Sequence, residues 1–168
     1  MHIDKPFFAV NFLGLLALAL GCSGVVHEAF GASGKDNYMV YIGTYTGAKS
    51  KGIYAARFDA TTGRLSEPAL AAETTHPTFL AIHPNQRFLC AANEIANFAG
   101  KKSGSISAFA IDAATGKLTP LNQQSSGGGE PCYVVVDRTG RNLLAANYGG
   151  GSIRSEERRV GKECRSRW

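Results

Sequence analysis

Residues 76–94 read HPTFLAIHPNQRFLCAANE, and residues 130–148 read EPCYVVVDRTGRNLLAANY. They align without a gap at an offset of 54, with Pro77 on Pro131, Arg87 on Arg141, Leu89 on Leu143 and Ala91-Ala92-Asn93 on Ala145-Ala146-Asn147. Each holds two short apolar runs separated by a polar turn, Pro84-Asn85-Gln86 in one and Arg138-Thr139-Gly140 in the other. Self-similarity at a fixed spacing of this size marks a stack of equivalent supersecondary units.

A second pair completes the unit. GIYAARFDATTGRL (residues 52–65) aligns with SISAFAIDAATGKL (residues 105–118) at an offset of 53, matching Asp59 to Asp112, Thr62-Gly63 to Thr115-Gly116 and Leu65 to Leu118. Asp and Thr form turns through their own side chains, and Gly takes the positive φ that a hairpin turn with a bulge requires. The unit therefore has four short strands, the first two joined by D-A-x-T-G-[KR]-L and the last ending in A-A-N. Four strands per fifty-odd residues describe one blade of a β-propeller. A β-sandwich does not require the same turn sequence at a fixed offset. The chain is expected to be all-β, a β-propeller of four-stranded antiparallel blades, with about two blades in residues 32–153. Gly149–Ile153 (GGGSI) resembles Ser103–Ile106 (SGSI) and opens a third unit.

The two ends of the 168-residue chain read differently. Phe7–Leu20 is an apolar run behind a short polar start, too short for a comfortable membrane span and suited to a secretory signal. Residues 1–31 are read as a signal peptide with two competing exits. Ala29-Phe30-Gly31 offers small residues for cleavage, whereas Ala19-Leu20-Gly21-Cys22 resembles a lipobox that would lipidate Cys22. The expected location is periplasmic or extracellular, with no membrane association beyond that anchor. Residues 154–168 (RSEERRVGKECRSRW) have no apolar period and resemble the translation of a common sequencing adapter. They are read as a non-native tail, which makes the propeller portion a piece of a longer one. Such a piece exposes a sheet edge and apolar blade faces, so aggregation or partial unfolding, and inactivity, are expected of it by itself.

The net charge of +5 then loses its meaning as a nucleic-acid signal, because six basic residues lie in that tail: Arg154, Arg158, Arg159, Lys162, Arg165 and Arg167. Elsewhere the charges are scattered, so no nucleic-acid partner is expected. Cys90 and Cys132 lie in apolar runs and read as buried free thiols, with a disulfide left open. There is no CxxC and no metal-ligand cluster, and neither SSGGGEP (residues 125–131) nor NYGGGS (residues 147–152) has phosphate-loop or dinucleotide-loop spacing. No cofactor and no metal are expected.

Three stretches carry a family resemblance: YIGTYTGAKSKGIYAARFDATTGRLS (residues 41–66), HPNQRFLCAANE (residues 83–94) and EPCYVVVDRTGRNLLAANYGGGSI (residues 130–153). They resemble the lactonase family of seven-bladed propellers, which includes the propeller-type 6-phosphogluconolactonase and the carboxymuconate-lactonising enzymes. The resemblance implies seven blades, a small-molecule lactone substrate, and hydrolysis of a cyclic sugar ester at the mouth of the central channel. Lactone hydrolysis needs an activated water and donors for the oxyanion. On that basis Glu94, which follows the A-A-N strand end, is the candidate catalytic base. Asn93 and Asn147, at equivalent repeat positions, are candidate substrate donors. Tyr148 stands where Glu94 stands one unit earlier, and Tyr133 occupies a position where family members often carry His; both are candidate substrate-binding residues. The two asparagines can equally close blade turns, since Asn tolerates left-handed backbone. His76 and His83 each precede Pro and read as turn residues. An export signal argues against a cytosolic sugar-phosphate role and toward an unphosphorylated or different lactone. Two other functions remain open, a non-catalytic propeller that binds a ligand and a muconate-type cycloisomerase.

Overall fold

The computed structural model describes residues 7–11 and 37–157, and every regular element among them is a strand. Most of the leader, with Cys22, and the tail beyond Glu157 lie outside the described residues. Three sheets follow one another along the chain. The first contains β1 (Phe7–Asn11), β2 (Asn37–Gly43), β3 (Gly52–Asp59), β4 (Arg64–Leu65) and β5 (Ala69–Glu73). The second is a complete four-stranded blade of β6 (Pro77–Ile82), β7 (Phe88–Asn93), β8 (Ser105–Ile111) and β9 (Leu118–Ser125) in sequential order. The third has β10 (Pro131–Val136), β11 (Asn142–Asn147) and β12 (Ser152–Glu157). The fold is part of a β-propeller, as the repeat predicts. The repeat and the sheet are nevertheless two strands out of phase. The sequence unit pairs the outer half of one sheet with the inner half of the next, because its connecting loop crosses between blades.

The turns form for the reasons their residues suggest. Asp59 accepts from the Thr61 and Thr62 amides (2.8 and 3.2 Å) and from Thr62 Oγ1 (2.7 Å). Asp112 does the same for Ala114 and Thr115 (2.9 and 3.3 Å). Gly63 and Gly116 close these turns with φ of 70° and 76°, a region that disfavours residues with a Cβ. Pro77 and Pro131 stand at the first positions of innermost strands, where a missing N–H costs no interior ladder bond.

Two apolar interfaces hold the sheets face to face. Met39, Tyr41, Ile53 and Ala55 of the first sheet pack on Leu80, Leu89, Ala91 and Phe109 of the second. The opposite face of the second sheet, with Cys90, Ala92 and Ile106, packs on Val134, Leu143 and Ala145 of the third. β7 is thus covered on both sides, and Leu89 through Ala92 are all 0% exposed. The outward face of the third sheet presents Val135, Leu144 and Ile153, whose repeat equivalents Ala81, Cys90 and Ile106 are covered by a neighbouring sheet.

Two local features were not anticipated by the sequence reading. Phe7–Asn11, inside the segment read as an export signal, lies on β2 where β6 lies on β7, and it runs parallel to β2 whereas β6 and β7 are antiparallel. Cys132 is exposed rather than buried: the register shifts between Pro131 and Tyr133, so two consecutive residues face outward. Cys90 is a buried free thiol, as expected.

Candidate active site at the strand ends

The start of β6 meets the end of β7, and the start of β10 the end of β11, as their antiparallel pairings require; the end of β2 at Gly43 abuts Pro77, and the Glu130 amide reaches Ile95 O, so these ends neighbour one another across the sheets. The loops that follow or precede them carry Tyr45, Thr46, His76, Glu94, Glu130 and Tyr148. His76 and Glu130, equivalent in the repeat, both adopt positive φ (43° and 54°). This conformation turns each carbonyl back across its sheet, where it accepts the amide of the residue after the Asn. Glu94 N–H donates to His76 O at 3.0 Å, and Tyr148 N–H donates to Glu130 O at 2.9 Å. A strained backbone at non-glycine positions holds the last residue of each inner hairpin at the channel end.

Glu94 sits at the centre of the only constellation of chemistry-bearing side chains that these loops build among the described residues. Thr78 Oγ1 donates to Glu94 Oε2 at 2.7 Å. The Tyr45 hydroxyl, reaching from the first sheet, faces the Glu94 carboxylate. Its interaction with that carboxylate, partial burial, and the negative charges of Glu94, Cys132 and Glu130 push the Tyr45 phenol up to about 12. The ring of Tyr45 lies 5.7 Å from that of His76. His76 is oriented in turn by Thr46, whose amide donates to Nδ1 at 3.0 Å. An amide N–H can donate only to an unprotonated nitrogen, so the ring proton of the neutral imidazole is on Nε2. A half-buried carboxylate anchored by the Thr78 hydroxyl keeps lone pairs free for a water, the arrangement a general base needs.

The other predicted residues fall in three places. Tyr133 is 46% exposed with its ring 4.5 Å from that of Phe79, and Tyr148 is 79% exposed on the turn after β11. Asn93 lies inside the blade at 0% exposure. Its Nδ2 donates to Thr74 Oγ1 (2.8 Å) and Thr75 O (2.6 Å), and its Oδ1 accepts from Ser107 Oγ (2.6 Å). Asn147 is buried at 3%, with Nδ2 donating to Ser126 O (3.1 Å) and Ser152 Oγ (3.3 Å). In these positions the two amides brace the strand ends that carry Glu94 and Tyr148. His83 is likewise interior, at 4% exposure. No group of three or more metal-ligating side chains occurs among the described residues. Sequence reasoning passed over Tyr45, Thr78 and the ordered His76. The signal for Tyr45 was present in the G-T-Y-T-G stretch, and that for His76 in its alignment with Glu130.

Comparison with known proteins is consistent along this whole region. Residues 39–163 match the family described as Lactonase, 7-bladed beta-propeller. A 6-phosphogluconolactonase of Bacillus subtilis (strain 168) is 38% identical over 116 residues, covering 69% of this chain and 32% of that protein. Among solved structures, a candidate 6-phosphogluconolactonase from Bacteroides fragilis superposes with TM-score 0.69 at 33% identity, covering 80% of this chain and 35% of that one. The periplasmic gluconolactonase of Pseudomonas aeruginosa gives 0.66 at 32% identity, covering 74% and 35%. The chain spans about a third of the length of the relatives it matches.

Proposed function

The chain belongs to the lactonase family of seven-bladed β-propellers, and from that membership we propose that the protein these sheets build hydrolyses a sugar lactone, with Glu94 as the base. The observation that carries the proposal is the Glu94 carboxylate anchored by Thr78 at the channel end, with the Tyr45 phenol facing it. Glu94 takes a proton from a bound water, and the resulting hydroxide adds to the lactone carbonyl. The tetrahedral adduct collapses with cleavage of the ring C–O bond. The proton returns from Glu94 to the departing alkoxide, leaving the open-chain acid. Tyr133 and Tyr148, exposed at the same end, bond substrate hydroxyls. Asn93 and Asn147 serve this chemistry by holding the residues that follow them.

The leader supports export, and one structural relative is named as a periplasmic enzyme. The substrate class proposed is therefore an unphosphorylated sugar lactone outside the cytoplasm. The described sheets form only part of a ring, so the 168-residue chain by itself is taken to be inactive, and residues 154–168 to be a non-native tail.

The test is hydrolysis of gluconolactone and its 6-phosphate by the protein expressed from its full genomic reading frame. Glu94→Gln is expected to lower kcat by about 10²- to 10⁴-fold. Unchanged turnover in that variant would remove Glu94 from the mechanism. Binding without turnover would instead favour a ligand-binding propeller, and isomerisation of a muconate-derived lactone would favour a cycloisomerase.

A further inference from the structure

The asparagine that ends each inner hairpin is part of a repeated bracket, and the bracket is complete in only one of the two sheets that contain it. In the second sheet, Asn93 Nδ2 holds the incoming loop at Thr74 and Thr75, while Asn93 Oδ1 accepts from Ser107 Oγ at 2.6 Å. Ser107 lies on β8 directly opposite Ala91, two residues before the asparagine. Both N–H donors and the oxygen of this buried amide are engaged. The strand end, with Glu94 next in the chain, is pinned both to the loop and to β8.

In the third sheet, Asn147 Nδ2 donates to Ser126 O of the incoming loop and to Ser152 Oγ on β12. Its Oδ1 is buried and has no hydrogen-bond partner. The register explains the vacancy. The residue of β12 opposite Ala145, the counterpart of Ala91, is Arg154. Arginine therefore stands where the preceding blade has Ser107. Its side chain runs along the small cavity between the second and third sheets, lined also by Ile106, Ser126, Leu143 and Ala145. Gly127 lies beside its Nε and NH1. A long cation directed along this interface does not supply the short, neutral donor that a serine places against the amide oxygen.

We infer that position 154 is a hydroxyl slot: a serine-sized donor there completes the Asn147 bracket and fixes the Tyr148 strand end as Ser107 fixes that of Glu94. Buried carbonyl oxygens are rarely left without a donor, so an orphan beside a repeat mismatch identifies the residue type that fits. The inference is independent of the proposed activity. It locates the departure of this chain from its own repeat between Ile153 and Arg154, from hydrogen bonding alone.

Amide hydrogen exchange on the protein expressed from its full genomic reading frame tests it, with Arg, Ser and Ala placed in turn at position 154 and the Glu94 amide as an internal reference. Arg154→Ser is expected to slow exchange at the Tyr148 amide by about tenfold, the scale of one buried hydrogen bond. Arg154→Ala should not slow it, and the serine gain should vanish in an Asn147→Ala background. Equal protection in the serine and alanine variants, or a serine gain that survives loss of Asn147, overturns the inference. Should the third sheet be too open to protect Tyr148 in any variant, the mirror experiment decides. Ser107→Ala and Ser107→Arg must both release the Glu94 amide, and unchanged Glu94 protection in them overturns the bracket itself.

Discussion

His83 Nε2 lies 3.0 Å from Gly140 O, joining the β6–β7 turn of the second sheet to the β10–β11 turn of the third. The Asn85 amide donates to His83 Nδ1 at 3.2 Å, so Nε2 carries the proton and donates to the carbonyl. A Cβ on Gly140 would come within 2.5 Å of the imidazole, at a residue whose φ is 71°. Gly140→Ala therefore meets both a steric and a conformational penalty, and is expected to destabilise the third sheet by about 2–4 kcal/mol. His83→Ala removes the donor but not the glycine conformation, and should cost about 1–3 kcal/mol. Urea unfolding followed separately in the two sheets checks the order, and an alanine at 140 that leaves the midpoint unchanged would refute it.

Asp137 provides a pH signature for the same turn. It accepts from Asn142 Nδ2 at 2.7 Å, from the Arg141 amide at 2.9 Å, and from Thr139 Oγ1 at 3.0 Å. These donors, Asn142 first, hold the carboxyl down at about 2. Because folding lowers this pKa, the ionised form favours the fold. The contribution is whole above the ordinary carboxylate value of about 4 and is lost as pH falls through about 2. Carboxyl-carbon NMR should show Asp137 titrating near about 2, with Asp59 and Asp112 also below the ordinary value. Asn142→Ala should move the Asp137 midpoint upward. An unmoved midpoint would mean that the Asn142 bond does not form in solution.

Tyr45 and Glu94 make the opposite prediction at high pH. The phenol is held up at about 12, chiefly by its interaction with the Glu94 carboxylate. Its folded-state stabilisation is present below the ordinary tyrosine value of about 10 and is lost as pH rises through about 12. Glu94→Gln keeps an acceptor but removes the charge, so the Tyr45 midpoint should drop toward about 10. Ring-carbon NMR resolves Tyr45 from the buried Tyr41, which burial raises further. A midpoint that stays high in the Gln variant would detach Tyr45 from Glu94 and weaken the assignment of the base.

The fold was legible because its determinants repeat. Asp59 and Asp112 build the same turn from the same letters, and one offset aligns β6–β7 with β10–β11. What the letters did not show was phase, since a loop between blades and a turn within one look alike until the ladder is seen. Glu94 was marked because it follows a repeated strand end. Tyr45 was not, because its partner lies on another sheet and the pairing depends on packing between sheets. Asn93 and Asn147 were marked from their repetition, yet repetition also signals structural duty. Their burial at 0% and 3% places them inside the strand ends that carry the mouth residues. Cys132 was read as buried from an apolar run, and the register shift at Pro131 reversed its face.

The close approach of the second and third sheets can be tested at one glycine against another. Gly104 donates to Gly128 O at 2.7 Å and accepts from the Ser126 amide at 3.0 Å, so its backbone clasps the loop that enters β10. A methyl group there would overlap the Pro131 ring and stand 2.9 Å from Ile95 O. Neither neighbour can yield locally: the proline ring is fully buried, and Ile95 O already accepts the Glu130 amide at 3.0 Å. Gly129, in the same loop, has nothing within 4 Å of its added Cβ. Gly104→Ala is therefore expected to cost about 3 kcal/mol or more, and Gly129→Ala within about 0.5 kcal/mol of nothing. The first substitution should also push Glu130 away from Tyr45. Part of the anionic field that raises the phenol is then lost, and the Tyr45 midpoint falls slightly while Glu94 is untouched. Matching urea midpoints for the two alanine variants, with Tyr45 unmoved, would show that the sheets have room to separate and that this contact does not set the spacing of the channel end.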